Sequence, residues 1–144
     1  MLVCTRVEFR VGLTLVSRPC YVCRVAWDVE YTDEFAQWWE TLSVEQQERI
    51  DAVVGLLQER GPTLGRPIVD TLQGSALPNL KELRIRQDGT LRILFAFDPR
   101  RVAILLFGGD KTGEWQAWYR IATPRAERLY QDHIDQLRKG GQLP

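Results

Sequence analysis

Residues 24 to 31, RVAWDVEY, alternate apolar and polar, with Val25, Trp27, Val29 and Tyr31 on one face and Asp28 and Glu30 on the other. Such a period of two predicts a strand. Thr32 or Asp33 then caps a helix, DEFAQWWETL, whose Phe35, Trp38, Trp39 and Leu42 recur at helical spacing and belong to the core. Ser43 opens a second helix, because SVEQ has capping-box form, and Ile50, Val53, Val54 and Leu57 carry its apolar stripe to Gly61-Pro62. A loop rich in Gly and Pro, residues 61 to 79, leads to three strands near 80–86, 91–97 and 102–107. The last, VAILLF, is apolar on both faces and is expected to be the central strand, covered on both sides. Trp115, Trp118, Tyr119 and Ala122 return to helical spacing, and a final helix follows, capped by Thr123 with Pro124 at its first position. Its buried stripe is Ala126, Leu129, Tyr130, Ile134 and Leu137; His133 falls within it and is expected to pack. Trp115 and Trp118 are suited either to packing or to stacking on bases.

The hairpin LRIRQDGTLRILFAF raises the question of its arginines. A two-residue Asp88-Gly89 turn would oppose Ile85 to Arg92 and mix the faces. A three-residue loop, Gln87-Asp88-Gly89, keeps Ile85 opposite Leu91 and Leu83 opposite Ile93, and puts glycine where the backbone needs positive φ. That register sets Arg84 across from Arg92, a like-charge pair that costs about 0.2–1 kcal/mol. Either Glu82 or solvent neutralises the pair, or the two guanidiniums form an anion site suited to a phosphate. With Asp98-Pro99-Arg100-Arg101 as a four-residue connection, the next strand sets Arg92 beside Phe107 and brings Lys111 to the same end of the sheet as Arg84 and Arg92.

Composition narrows the class without naming a chemistry. The 144 residues are 44% hydrophobic and 26% charged, as in a soluble single domain, and no apolar run approaches the roughly 18 residues of a membrane span. The net charge of zero conceals an acidic stretch, residues 28 to 60, with nine acidic and two basic side chains against a basic remainder. Overall charge therefore does not argue for nucleic acid, while a local cationic surface stays open. The three cysteines, Cys4, Cys20 and Cys23, include one C-x-x-C without a second ligand pair, and the single histidine lies far away, so no metal site is expected. The opening segment is interrupted by Arg6, Glu8 and Arg10 and does not read as a secretory signal, which makes a cytoplasmic location the expectation.

The order β-α-α-β-β-β-α, with LKELRI, TLRILFAF, VAILLFGGDK and WYRIATPRAERLYQDHI, resembles the RelE/ParE-superfamily toxins over residues 24 to 138, in particular their phage-derived HigB-like branch. The resemblance implies an α+β fold in which an antiparallel sheet of about four strands packs against a helical hairpin and a C-terminal helix. It implies a ribosome-dependent mRNA endonuclease acting in the ribosomal A site without metal or small-molecule cofactor. The expected partner is a cognate antitoxin, usually with a helix-turn-helix DNA-binding domain. Residue by residue, the turn-then-strand arginine falls on Arg92, the basic position in the preceding strand on Arg84, and the basic residue after the apolar strand on Lys111. The base-stacking aromatic falls on Tyr119. Lys81, Arg86 and Trp115 are further RNA-contact candidates. Where many relatives have another basic group, two residues before Arg84, this chain has Glu82.

Such a toxin cleaves RNA by attack of the 2′-hydroxyl on its own phosphate, so the protein supplies charge at phosphorus, orientation and a proton for the leaving oxygen. Arg84 and Arg92 suit stabilisation of the pentacoordinate phosphate and Lys111 stabilisation of the leaving 5′-oxygen, while arginine, always protonated, cannot act as a base. Glu82 is either a general base or an ion-pair partner of the arginines. A rival reading is a binding-only member: a ParE-like topoisomerase inhibitor, or a phage-derived remnant that binds an antitoxin. Residues 1–23 read as an extension, an accessory strand or a start codon placed too far upstream, ahead of a toxin domain over 24–144.

Overall fold

The computed structural model describes residues 10–11, 14–15, 27–85, 91–111 and 113–143. The proposed roles of residues 1–23 fall largely outside that range, as do all three cysteines; within it, β1 (Arg10–Val11) and β2 (Thr14–Leu15) pair as a small antiparallel ribbon. From Trp27 onward the chain forms β3 (Val29–Tyr31), α1 (Asp33–Glu40), α2 (Val44–Arg60), a 3-10 turn (Gly61–Thr63), β4 (Val69–Thr71), β5 (Lys81–Arg84), β6 (Leu91–Phe97), β7 (Ala103–Asp110) and α3 (Trp115–Lys139). Strands β3 to β7 build one five-stranded sheet in the order β3-β7-β6-β5-β4.

The helical hairpin forms as its capping signals require. The Thr32 hydroxyl accepts the Phe35 amide at 3.1 Å, and Ser43 and Gln46 exchange both capping-box bonds, so one first-turn amide of each helix has a side-chain partner. Thr32 also sends its own hydroxyl to the Leu106 carbonyl at 2.7 Å, which fixes α1 against β7. Above one sheet face, Phe35, Trp39, Ile50, Val54 and Leu57 of the hairpin meet Leu83, Ile93, Phe95, Ala103 and Leu105. On the other face Leu80, Leu94, Ala96, Ile104 and Leu106 meet Ala122 and Ala126 of α3. The alternation of β6 and β7 thus feeds two cores, one on each side of the sheet.

Several expectations need correction. The sheet has five strands rather than about four, because β4 lies inside the stretch read as loop; three residues among Gly and Pro leave too short a period to recognise. It is also mixed, since β3 runs parallel to β7, and the middle strand is β6 rather than β7. Tyr31, expected to share the buried face of Val29, is exposed, as β3 is a three-residue edge strand that passes directly into α1. The final helix is not capped at Thr123. It runs unbroken through Pro124, which lies on the solvent side, where water can serve the carbonyl that proline leaves without a donor.

The β5–β6 register is as expected, with Leu83 opposite Ile93 and Arg84 opposite Arg92; the turn residues themselves lie outside the described range. The β6–β7 register is not. Asp98 and Val102 close the turn through a 2.9 Å backbone bond, and Arg101 takes a left-handed φ of 68°, so Phe97 faces Ala103. Leu106 is then an extra residue between Leu105, opposite Phe95, and Phe107, opposite Leu94. This bulge inverts the facing of everything beyond it. Arg92 therefore stands opposite Gly109, not Phe107. A Cβ on Gly108 would run into the Trp38 ring on the α1 side, and one on Gly109 into Trp118 on the α3 side. Two indoles rest on the bare backbone of consecutive residues.

His133 does not merely pack. At the end of the sheet away from Arg92, buried Asp98 accepts from Arg100 at 2.8 Å, approaches His133 Nε2 at 3.0 Å and accepts the Val102 amide at 3.2 Å. Arg100 reaches on to Glu30 of β3 and Gln142 beyond α3. One carboxylate thereby joins the β6–β7 turn, the edge strand and the C-terminal helix. Burial pushes the Asp98 pKa up, but the bonds from His133, Arg100 and the Val102 amide outweigh it and hold the group below its ordinary value. With a depressed folded-state pKa, its stabilisation is complete above about pH 4, the unfolded value, and disappears as pH falls through the folded one. Asp98→Asn is expected to lower stability by about 3 kcal/mol in urea unfolding at neutral pH and to remove part of the acid limb of a stability–pH curve; an unchanged curve would refute this role.

Candidate anion site

On the α3 face of β5, successive polar residues Glu82 and Arg84 point the same way because they are two apart, and the β6 register adds Arg92. The structure resolves the hairpin question through Glu82. Its carboxylate is 2% exposed and receives Arg84 Nε at 2.9 Å and the Tyr119 hydroxyl of α3, with Arg92 Nε at 3.7 Å. A negative charge between the guanidiniums offsets their repulsion. Arg84 turns its other end to Asp70 of β4 at 3.0 Å, and Asp70 in turn binds Arg66 at 3.1 Å. An alternating chain of charge, Arg66, Asp70, Arg84, Glu82, Arg92, thus crosses the sheet.

Lys111 completes the cluster from the end of β7, its ammonium 5.5 Å from the centre of the Tyr119 ring. Burial, then the Arg92 and Arg84 charges, hold its pKa below the usual lysine value, with Glu82 acting against them. Arg84 is shifted the other way, upward, chiefly by its hydrogen bond to Glu82. Burial and the Glu82 bond push the Tyr119 hydroxyl well above its ordinary pKa, so it stays a neutral donor. Arg92 is 11% exposed; Nη1 donates to the Leu91 carbonyl, while its buried Nε has no hydrogen-bond partner. Buried guanidinium donors rarely stay unpaired, so that nitrogen and the Lys111 ammonium leave the cluster short of negative charge.

Arg84, Arg92, Glu82, Lys111 and Tyr119 therefore lie in one cluster. Lys81 does not join them: by strand parity it belongs to the opposite face, and its ammonium donates to Thr71 at 3.3 Å. Arg86 lies outside the described residues. Trp115 is 53% exposed one helical turn from Tyr119, its ring edge-on to the tyrosine at 6.2 Å, whereas Trp118 packs on Phe107 and Gly109. Sequence reasoning missed Asp70 and Arg66, which depend on β4 pairing with β5; the lone signal was an acid flanked by Val69 and Thr71. Among the described residues no group of His, Cys, Asp and Glu is arranged to hold a metal ion. None of the helices there is long and apolar enough to cross a membrane.

An α+β sheet with a helical hairpin on one face and a terminal helix on the other is the RelE-like architecture. The chain superposes on Escherichia coli toxin RelE, solved free as a mutant, with a TM-score of 0.50 at 17% identity over 67% of this chain and 98% of that one, a likeness of fold. The family is defined by sequence: residues 37–131 match Phage derived protein Gp49-like (DUF891). The chain is 43% identical to the putative toxin HigB3 of Mycobacterium tuberculosis (strain ATCC 25618 / H37Rv) over 73% of its own length and 91% of that protein. It is 39% identical to the putative toxin HigB2 of the same strain over 83% of its length, spanning 63% of that relative. The chain belongs to the Gp49-like family, the phage-derived, HigB-like branch of the RelE superfamily.

If Glu82 is the brace of this cluster, Glu82→Gln leaves two facing guanidiniums without a counter-charge and is expected to cost about 3 kcal/mol, partly recovered in high salt. Tyr119→Phe, which removes only one hydroxyl, is expected to cost about 1–3 kcal/mol. Urea unfolding of both variants measures this; equal stability of Glu82→Gln and wild type would show that the arginines do not depend on the carboxylate.

Proposed function

We propose that the protein is the toxin of a type II toxin–antitoxin module, an endoribonuclease that cuts mRNA in the ribosomal A site and is neutralised by an antitoxin. The observation that carries the reading is the pairing of Arg84 with Arg92 across β5 and β6 beside Lys111, three cations gathered around the one Glu82 carboxylate. The relatives' naming as putative toxins supports it. In this mechanism a phosphate of the RNA lies against Arg92 and Lys111, with Arg84 at its edge. The 2′-hydroxyl loses its proton to solvent water as its oxygen attacks phosphorus, the bond to the 5′-oxygen breaks, and Lys111 gives that oxygen a proton, leaving a cyclic phosphate and a 5′-hydroxyl. A lowered pKa makes Lys111 the better donor. Glu82, already engaged by two arginines and Tyr119, serves as their brace rather than as the base.

That same engagement favours a second reading. With Glu82 enclosed and His133 held by Asp98 at the far end of the sheet, the cluster has no uncommitted base among the described residues, as a binding-only toxin relative would not need one. Mapping cellular mRNA ends after induction separates the two: ribosome-phased cuts support the endonuclease, and intact mRNA supports the binding-only form. Arg92→Ala is expected to abolish growth arrest in a protein that stays folded by circular dichroism. The cleavage rate is expected to fall on the alkaline side as Lys111 loses its proton, with a midpoint below the ordinary lysine value, and Lys111→Arg is expected to remove that limb. An Arg92→Ala protein that arrests growth like wild type would overturn the assignment.

A further inference from the structure

Beside the cationic cluster lies an open groove of about 590 Å³ between the segment after β4 and the first turns of α3, bordered by Gln73, Ala76, Trp115, Gln116, Tyr119 and Glu127. We propose that this groove is a nucleobase subsite, holding the base next to the phosphate at Arg92 and Lys111, and that it favours a base bearing an exocyclic amino group. The inference rests on the reading of the cluster as an RNA phosphate site.

Continuity with the cluster argues for a nucleotide as the occupant. Tyr119 belongs to both places, its hydroxyl bound to Glu82 and its ring bordering the groove, so a phosphate on one side and its neighbouring base on the other are one residue apart. Trp115 presents an exposed indole there, set edge-on to Tyr119, and an aromatic face beside a cationic patch is how single strands are held. The groove is also preformed. Glu127 Oε1 accepts the Ser75 hydroxyl at 2.6 Å and the Ala76 amide at 2.8 Å, which clasps the segment after β4 to α3.

That clasp decides the selectivity. With Oε1 taken twice, the carboxylate is fixed in orientation, and Oε2 is left as an acceptor on a residue that borders the groove. A carboxylate accepts from the amino group of cytosine, adenine or guanine. Uracil has only an N3–H between two carbonyl oxygens, which a carboxylate repels. The Gln73 and Gln116 amides, donor and acceptor at once, complement either base, and Arg120, also on the groove, can donate to the O2 that cytosine and uracil share, so neither discriminates between them.

The test uses short single-stranded oligonucleotides with non-cleavable 2′-deoxy linkages, titrated into the whole protein by fluorescence anisotropy at several salt concentrations. Wild type is expected to lose about tenfold in affinity when one position is made abasic, and Trp115→Ala to lose that sensitivity while keeping the salt slope of phosphate binding. Uridine for cytidine at the sensitive position is expected to weaken binding several-fold. Glu127→Gln, which keeps an oxygen for Ser75 and Ala76 but turns the other terminus into a donor, is expected to reverse that preference. Salt-dependent binding with no abasic penalty at any position overturns the subsite alone and leaves the groove to a polypeptide. An abasic penalty that persists in Trp115→Ala, or a base preference unmoved in Glu127→Gln, also overturns it. No salt-dependent binding at all would instead remove the phosphate site on which the subsite rests.

Discussion

A carboxylate buried between two arginines governs the functional end of this molecule. Arg84 and Arg92 face each other because β5 and β6 pair in a register dictated by Leu83 and Ile93, and without an intervening negative charge that register would force two guanidiniums together. Glu82 relieves the conflict and at the same time receives the Tyr119 hydroxyl, so a charge on the sheet holds a helix in place. Taking such a carboxylate from water is costly, which is why it is surrounded by donors on three sides. Neutralisation is incomplete, and the residual positive charge falls on Arg92 and Lys111, the groups with unspent donors.

The bulge at Leu106 controls how α3 meets this cluster. It displaces β7 by one residue, so that Gly109 rather than Gly108 stands beside Arg92, and the absence of a side chain there lets Trp118 settle on the strand. Tyr119, the next residue on α3, then reaches Glu82. The carbonyl of the extra residue is not wasted, since it accepts from Thr32, the residue that caps α1. One irregularity in a strand thus sets the positions of two helices on opposite faces of the sheet.

At the other end, Asp98 does for stability what Glu82 does for the site. It binds Arg100, His133 and the turn's own backbone, and through Arg100 it reaches β3 and the chain beyond α3. Asp98 follows the C-terminal end of β6 and closes the scaffold, while Glu82, opposite Leu94, arranges the cations toward the strand's start. The bidentate Arg125–Glu34 pair between α3 and α1 adds a surface link that solvent weakens.

Much of this was legible from local pattern. Helix caps at Thr32 and Ser43, the apolar stripes and the β5–β6 register depend on residues a few positions apart, and period and turn length decide them. For the same reason Arg84, Arg92 and Lys111 could be placed at one end of the sheet from spacing alone. What the tertiary structure decided involves partners distant in sequence. The pairing of β4 with β5 brings Asp70 to Arg84; the bulge at Leu106, stabilised by Thr32 seventy-four positions away, sets which β7 residue flanks Arg92; and the arrival of α3 turns Glu82 from a surface charge into a buried brace. His133 sits in an apolar stripe by spacing and beside Asp98 in space. Periodicity reports which side of an element is covered, while the chemical nature of what covers it depends on contacts that only the folded chain makes.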